Sequence, residues 1–174
     1  MILQDAWSLA ILQIARSLQL PDWAIGAGFV RALVWDHLSG QKRTELSDID
    51  VLYFDPENLA KETEKAYEKA LFEHRADIPW SLKNQARMHH KNATRAYHNT
   101  EDAMQFWLET PTAVAVRLER DDTLTILAPF GLEDLFQMII RPTPAALEKM
   151  DQFESRLRSK PWIDQWPSLT IVRE

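Results

Sequence analysis

Ser47-Asp48-Ile49-Asp50-Val51-Leu52-Tyr53-Phe54 sets two acids at the head of an apolar run. Apolar, β-branched and aromatic residues follow Asp48 closely, which predicts a strand. Side chains alternate along a strand, so both aspartates face one way while Ile49 and Val51 face the other. The carboxylates then stand roughly 7 Å apart and repel unless a cation or donors lie between them. Mg²⁺ (or Mn²⁺) suits that gap, because it takes a few carboxylates and completes its shell with water and substrate phosphates. The residues alone also allow a plainer arrangement, with Asp48 capping a turn and Asp50 solvated on the sheet face.

Upstream, Trp23-Ala24-Ile25 predicts a short buried strand that runs into Gly26-Ala27-Gly28 and then a helix from about Phe29 to Leu38. Amides at a junction with so little bulk can approach phosphate oxygens, and a helix N-terminus adds positive potential. Such glycines also serve plain packing. Ser39-Gly40 ends the helix.

Downstream, Asp55-Pro56-Glu57 predicts a helix start, the helix running to about Phe72 with Leu59, Thr63, Ala66 and Ala70 on one side. Pro79-Trp80 opens a strand through Asn84, and a short helix covers about Thr100 to Leu108. Ala113–Leu118 and Leu124–Ala128 read as strands joined at Arg120-Asp121-Asp122. The remainder predicts helices over Leu132–Ile140 and Pro144 to about Arg158, then a loose stretch marked by Pro161 and Pro167. With an amphipathic helix over Met1–Leu18, this is an α/β (α+β) pattern, a mixed β-sheet with helices packed on it. One domain over residues 1–174 is expected, with a core of about 20–130 and a helical C-terminal extension of about 131–174.

The formal charge of -6 and pI near 5.4 argue against nucleic-acid binding through the whole surface. The absence of cysteine excludes disulfides, thiolate zinc sites and a cysteine nucleophile. The apolar start lacks a basic leader and no run is long enough to span a bilayer, so a cytoplasmic protein without a membrane partner is expected. One local exception to the acidic character stands out. From Ile78 to Asn99 no acid occurs, while Lys83, Arg87, Lys91 and Arg95 recur at a spacing of four. A helix throughout would set them on one face, able to attract a triphosphate or a polynucleotide; a solvated charged face is the alternative. Lys83 and Arg87 lie nearest the predicted strand. His89, His90 and His98 lack a metal-ligand spacing and read as exposed histidines.

Ala27-Gly28-Phe29-Val30-Arg31, a loop, and then Ser47-Asp48-Ile49-Asp50-Val51 resemble the signature of the polymerase-β-like nucleotidyltransferase superfamily. In it a small-residue pair opens a helix, and the next strand carries acid, apolar residue, acid. Val30-Arg31 looks most like the tRNA nucleotidyltransferase branch. Trp80 to His89, Pro129-Phe130-Gly131-Leu132 and Arg141-Pro142 are similar to a bacterial group of nucleotidyltransferase-like proteins.

The resemblance implies transfer of a nucleotidyl group from an NTP to a hydroxyl on a small molecule, RNA end or protein. Asp48 and Asp50 would hold the metal and act as the catalytic carboxylates. Ala27, Gly28 and the adjacent backbone would receive phosphate oxygens, with Ser47 as a hydroxyl contact. Arg31 would reach a phosphate or stack on Trp35. Two departures stand out: Ala27 replaces a glycine, which is tolerable if its turn angles are ordinary, and Trp80–Asn84 carries no third acid. Asp77, just before that strand, is a poor substitute. Hence the alternative of a catalytically degenerate nucleotide-binding or partner-binding module on the same fold; a chain with no nucleotide site is the third reading.

Overall fold

In the computed structural model, which describes residues 1–174, the alternation around Asp50 becomes a central strand of a mixed sheet. Asp5 caps α1 (Ala6–Ser17) by accepting from the Ser8 amide at 2.7 Å. β1 (Ala24–Gly26) then leads directly into α2 (Gly28–Leu38), and β2 (Ile49–Tyr53) follows. Next come α3 (Lys61–His74), β3 (Trp80–Asn84), α4 (Met88–Asn92) and α5 (Thr100–Met104). β4 (Ala115–Leu118) and β5 (Leu124–Leu127) form the hairpin expected at Arg120–Asp122. The last part holds α6 (Glu133–Phe136), β6 (Ile139–Ile140), α7 (Pro144–Leu147), α8 (Met150–Ser159), α9 (Trp162–Gln165) and β7 (Thr170–Ile171).

The five-stranded sheet has the order β3-β2-β1-β4-β5, with β2 and β3 parallel and the other neighbours antiparallel. Its two faces differ because side chains alternate. Ile25, Ile49, Val51, Leu82 and Val116 point into a core of 28 buried apolar residues that also takes in α1, α2 and the tail. Ala24, Leu52, Ala115 and Leu127 point the other way, into a cluster of only six. Asp50 shares the parity of Leu52, so it emerges on the thinly covered face. Register finishes the placement. Ala24 pairs with Leu52 and Ile25 with Val51, which brings the Gly26–Gly28 turn to the start of β2. Asp50 pairs with Ser81 on the other side.

Several local expectations change. The helix after β2 begins at Lys61, not at Pro56. Asn84 takes over the intervening loop: its side chain donates to the carbonyls of Asp55 and Asn58 and accepts from the Asp55 amide. Asp55 does cap, but it closes a tight turn through the Glu57 and Asn58 amides. The buried side of α3 is Glu64 and Leu71, while Leu59 stays exposed. The basic run is not one helix either. Lys83 lies in β3, and Ala93 turns left-handed at φ 52°, which ends α4 before Arg95. Leu132–Ile140 is a short helix followed by a strand that pairs in parallel with β7. The stretch after Pro161 is ordered by aromatic packing, since the Trp166 ring lies 5.1 Å from that of Trp35 and the Trp162 ring 6.3 Å.

Candidate functional site

The turn between β1 and α2 is the sharpest feature of the backbone. Ala27 sits at φ 53°, ψ −122°, a conformation that favours glycine. The condition under which alanine replaces glycine freely, ordinary turn angles, is therefore not met. Strain of this kind persists only where the surroundings hold it: the Ala27 amide donates to Val114 at 3.1 Å, and its carbonyl accepts from the Arg31 amide at 3.0 Å.

The two flanking glycines have different reasons to be glycine. A Cβ at Gly26 would lie 3.1 Å from Ala115 Cβ and 3.2 Å from the Val114 carbonyl, so the close approach of β4 requires its absence. At Gly28 a Cβ would meet only Leu46, at 3.7 Å. Packing leaves Gly28 free, and the space in front of it belongs to a cleft. α2 has no side-chain N-cap, so the amides of its first turn lack a side-chain acceptor where Gly28 borders that cleft.

This narrow cleft, of about 460 Å³, is lined by Ala27, Gly28, Arg31, Ser47, Asp48 and Asp50, faced by Arg156 and Lys160 of the tail. Asp48 is exposed just before β2, where its carboxylate accepts from the Ser47 hydroxyl at 3.0 Å. Asp50 is more enclosed. Burial and the neighbouring Asp48 charge push its carboxyl up to about 6, against the pull of Arg156, Arg31 and the Ser81 hydroxyl. A cation between the aspartates would relieve that repulsion. No group of three or more His, Asp or Glu side chains could cage a metal. The carboxylate pair nonetheless fits Mg²⁺, which fills its octahedron from water and phosphates.

Arg31 is only 7% exposed, and its guanidinium donates to the Thr112 hydroxyl at 2.6 Å. It lies over the Trp162 ring at 4.5 Å and near that of Trp35 at 5.3 Å. The stack expected with Trp35 is shared with Trp162, and the side chain also lines the cleft. Burial lowers it to about 10, opposed chiefly by Glu109. Its Nε has no hydrogen-bond partner.

A second, wider cleft of about 700 Å³ opens on the other side of Asp50 and shares Ala27, Asp50 and Arg156 with the first. Lys83 lines it, although its ammonium is drawn to Glu64 at 3.6 Å and Glu68 at 3.7 Å. Arg87 lines neither cleft, because Glu64 holds its guanidinium in an ion pair.

Sequence reasoning missed Arg156 and Glu109. Glu109 is 1% exposed, and its Oε1 lies 2.7 Å from Arg156 Nε, but the approach lacks hydrogen-bond geometry. Arg156 thus lines both clefts with a buried carboxylate against its guanidinium. The segment carrying Glu109 is stitched to the tail by Thr110 N to Arg141 O at 2.9 Å and Thr143 N to Leu108 O at 3.1 Å. No motif announces either residue, since they come together only when the tail docks.

A nucleotidyltransferase family model matches residues 13–171. The NMR structure of a protein described as a CCA-adding enzyme head domain superposes with a TM-score of 0.87 at 36% identity, covering 98% of this chain and 92% of that one. A CCA-adding enzyme with CTP superposes with a TM-score of 0.62 at 14% identity, over 97% of this chain and 41% of that one. The Thermotoga maritima CCA-adding enzyme complexed with tRNA gives 0.58 at 16%, over 94% and 38%. The chain therefore spans about two fifths of these longer enzymes, with which it shares the fold. Curated proteins gave no match, and no helix is long and apolar enough to cross a membrane. A mixed sheet with an uncapped helix turn beside Asp48 and Asp50, together with these likenesses, has one conclusion: the chain belongs to the nucleotidyltransferase family, on a polymerase-β-like fold.

Proposed function

We propose that the protein transfers an NMP from an NTP to a hydroxyl acceptor, with Asp48 and Asp50 holding Mg²⁺ or Mn²⁺ in the narrow cleft. The whole chain would act as one unit, its C-terminal part forming a wall of the site. One observation carries this reading: Gly28, which packing does not require to be glycine, opens the uncapped head of α2 toward both aspartates. Amides of that first turn would bind triphosphate oxygens, with the Ser47 hydroxyl beside them. Arg156 and Lys160 would neutralise phosphate charge from the opposite side, with Arg31 of α2 beside the amides. The metal, when bound, would polarise the phosphates and lower the cost of charge developing on the leaving group.

Isothermal titration of the intact protein with each NTP tests this. Binding is expected with Mg²⁺ or Mn²⁺ and is lost in Asp48→Ala with Asp50→Ala. Failure of every NTP to bind in the presence of metal sinks the reading.

A second reading has one feature in its favour. Ser81 occupies the β3 position paired with Asp50, and no residue of β3 is an acid. A nucleotide-binding module that does not catalyse transfer would tolerate an acid-free β3. It predicts nucleotide binding without pyrophosphate release; steady, Asp50-dependent release removes it.

A further inference from the structure

The wide cleft has no task in binding the triphosphate, yet it reaches the same carboxylate. Lys83, Lys91, Lys149 and Arg156 line it against only two acids, Asp50 and Glu109. Glu109 already faces Arg156 at 2.7 Å, and Glu64 and Glu68 draw Lys83, which leaves Lys91 and Lys149 as the surplus in a chain whose net charge is -6. Met88, Phe106, Trp107 and Leu108 supply an apolar wall. We propose that this cleft is the acceptor subsite, and that it takes a small phosphorylated molecule bearing a free hydroxyl.

The inference rests on the transfer reading above. A hydroxyl entering from the wide cleft and an α-phosphate entering from the narrow one would meet at Asp50, which lines both. The acceptor oxygen forms a bond to the α-phosphorus as the bond from that phosphorus to the β-phosphate oxygen breaks. Pyrophosphate leaves with the electron pair, and the hydroxyl proton passes to water in the open cleft.

Size and charge favour a small acceptor over a polynucleotide. A cleft of about 700 Å³ matches a drug-sized ligand. The basic lining also stops at its edge. Glu64 and Glu68 of α3 close on Lys83 at 3.6 and 3.7 Å, so no cationic track leads away in that direction. At the opposite end Lys149 is anchored, its ammonium donating to the Asn92 carbonyl at 2.9 Å. That contact sets it across the cleft from β3 at a fixed place.

The test is a titration of ¹⁵N-labelled full-length protein, with Mg²⁺ and a non-hydrolysable CTP or ATP analogue present. Ribose 5-phosphate is the probe, and a tetranucleotide RNA with a free 3′ hydroxyl is run beside it. Ribose 5-phosphate is expected to shift the amides of Lys83, Lys91, Ala93, Trp107 and Lys149. Lys91→Ala with Lys149→Ala should weaken it about tenfold, roughly the loss of one to two lysine–phosphate contacts, while the analogue binds within about twofold of wild type and the spectrum stays dispersed. Shifts confined to the narrow cleft, or an unchanged affinity in the double variant, overturn the subsite. RNA binding in the wide cleft more than about tenfold tighter than ribose 5-phosphate overturns the small acceptor. If the analogue does not bind near Asp48 while ribose 5-phosphate still shifts the wide cleft, the transfer reading fails and the acceptor role with it. If the analogue binds and ribose 5-phosphate does not, only the subsite fails.

Discussion

The narrow cleft is walled on one side by β2 and the head of α2, and on the other by α8 and α9, and the two walls carry opposite chemistry. The sheet wall offers the carboxylates of Asp48 and Asp50 beside uncapped amides. The tail wall offers Arg156, Lys160 and the indole of Trp162, which stacks under Arg31. Anions on one side can hold a metal; cations on the other can hold phosphate. A metal–triphosphate needs both, so neither wall makes a site without the other.

Besides the packing of Trp35 and Arg31 on Trp162 and Trp166, a buried carboxylate joins the walls. Asp36, 4% exposed on α2, accepts from the Trp166 indole at 2.9 Å and from the Thr44 amide and hydroxyl at 2.7 and 2.8 Å. It thereby ties the tail to the loop that delivers Asp48. Asp36→Ala leaves those donors unmatched and is expected to cost about 3 kcal/mol in urea denaturation, with a parallel loss of nucleotide affinity. An unfolding midpoint equal to wild type would mean that the aromatic packing alone joins the walls.

The sheet wall can be probed alone through pH. Asp50 is raised from 3.8 to about 6, so the folded state binds this proton more tightly than the unfolded chain. Its contribution to stability is full below about pH 4 and is lost as pH rises through about 6, a fall of up to about 3 kcal/mol. Asp50→Asn should remove that fall. Mg²⁺ should raise the melting temperature at pH 7.5 and do little at pH 5, where Asp50 is protonated. Thermal melts with and without metal at the two pH values check this; an equal metal effect at both would place the ion away from Asp50.

Within the sheet wall, Gly26 and Gly28 separate packing from binding. Gly26→Ala forces Cβ against β4 and is expected to destabilise by about 2 kcal/mol. Gly28→Ala should unfold within about 0.5 kcal/mol of wild type and yet bind nucleotide more weakly. Ala27→Gly should act in the other direction, since release of the φ 53° strain should stabilise by up to about 1 kcal/mol. Equal losses of stability at the two glycines would make the turn a packing feature only.

The same contrast explains what could be read in the chain. The sheet wall is local: strand alternation places Asp48 and Asp50, and the small residues next to a helix mark the turn. The strand at Trp80–Asn84 and the hairpin were legible for the same reason. The tail wall depends on pairings far apart in sequence. A lone arginine on an amphipathic helix does not disclose that it will face Glu109, and Ile139–Ile140 is too short to announce a strand that pairs with Thr170–Ile171. The start of α3 was misplaced because Asn84 captures the loop before it, a competition that no capping rule at Asp55 contains. The φ of Ala27 was hidden because alanine does not advertise a glycine conformation.

A metal held between Asp48 and Asp50 beneath the Gly28 turn can be located with Mn²⁺. Substoichiometric Mn²⁺ with an NTP broadens amide resonances near the ion. Selective broadening at Ala27–Phe29, Asp48–Asp50 and Ser81 is predicted, abolished in Asp48→Ala with Asp50→Ala. Broadening that leaves these residues sharp, or that persists unchanged in the double variant, contradicts the account.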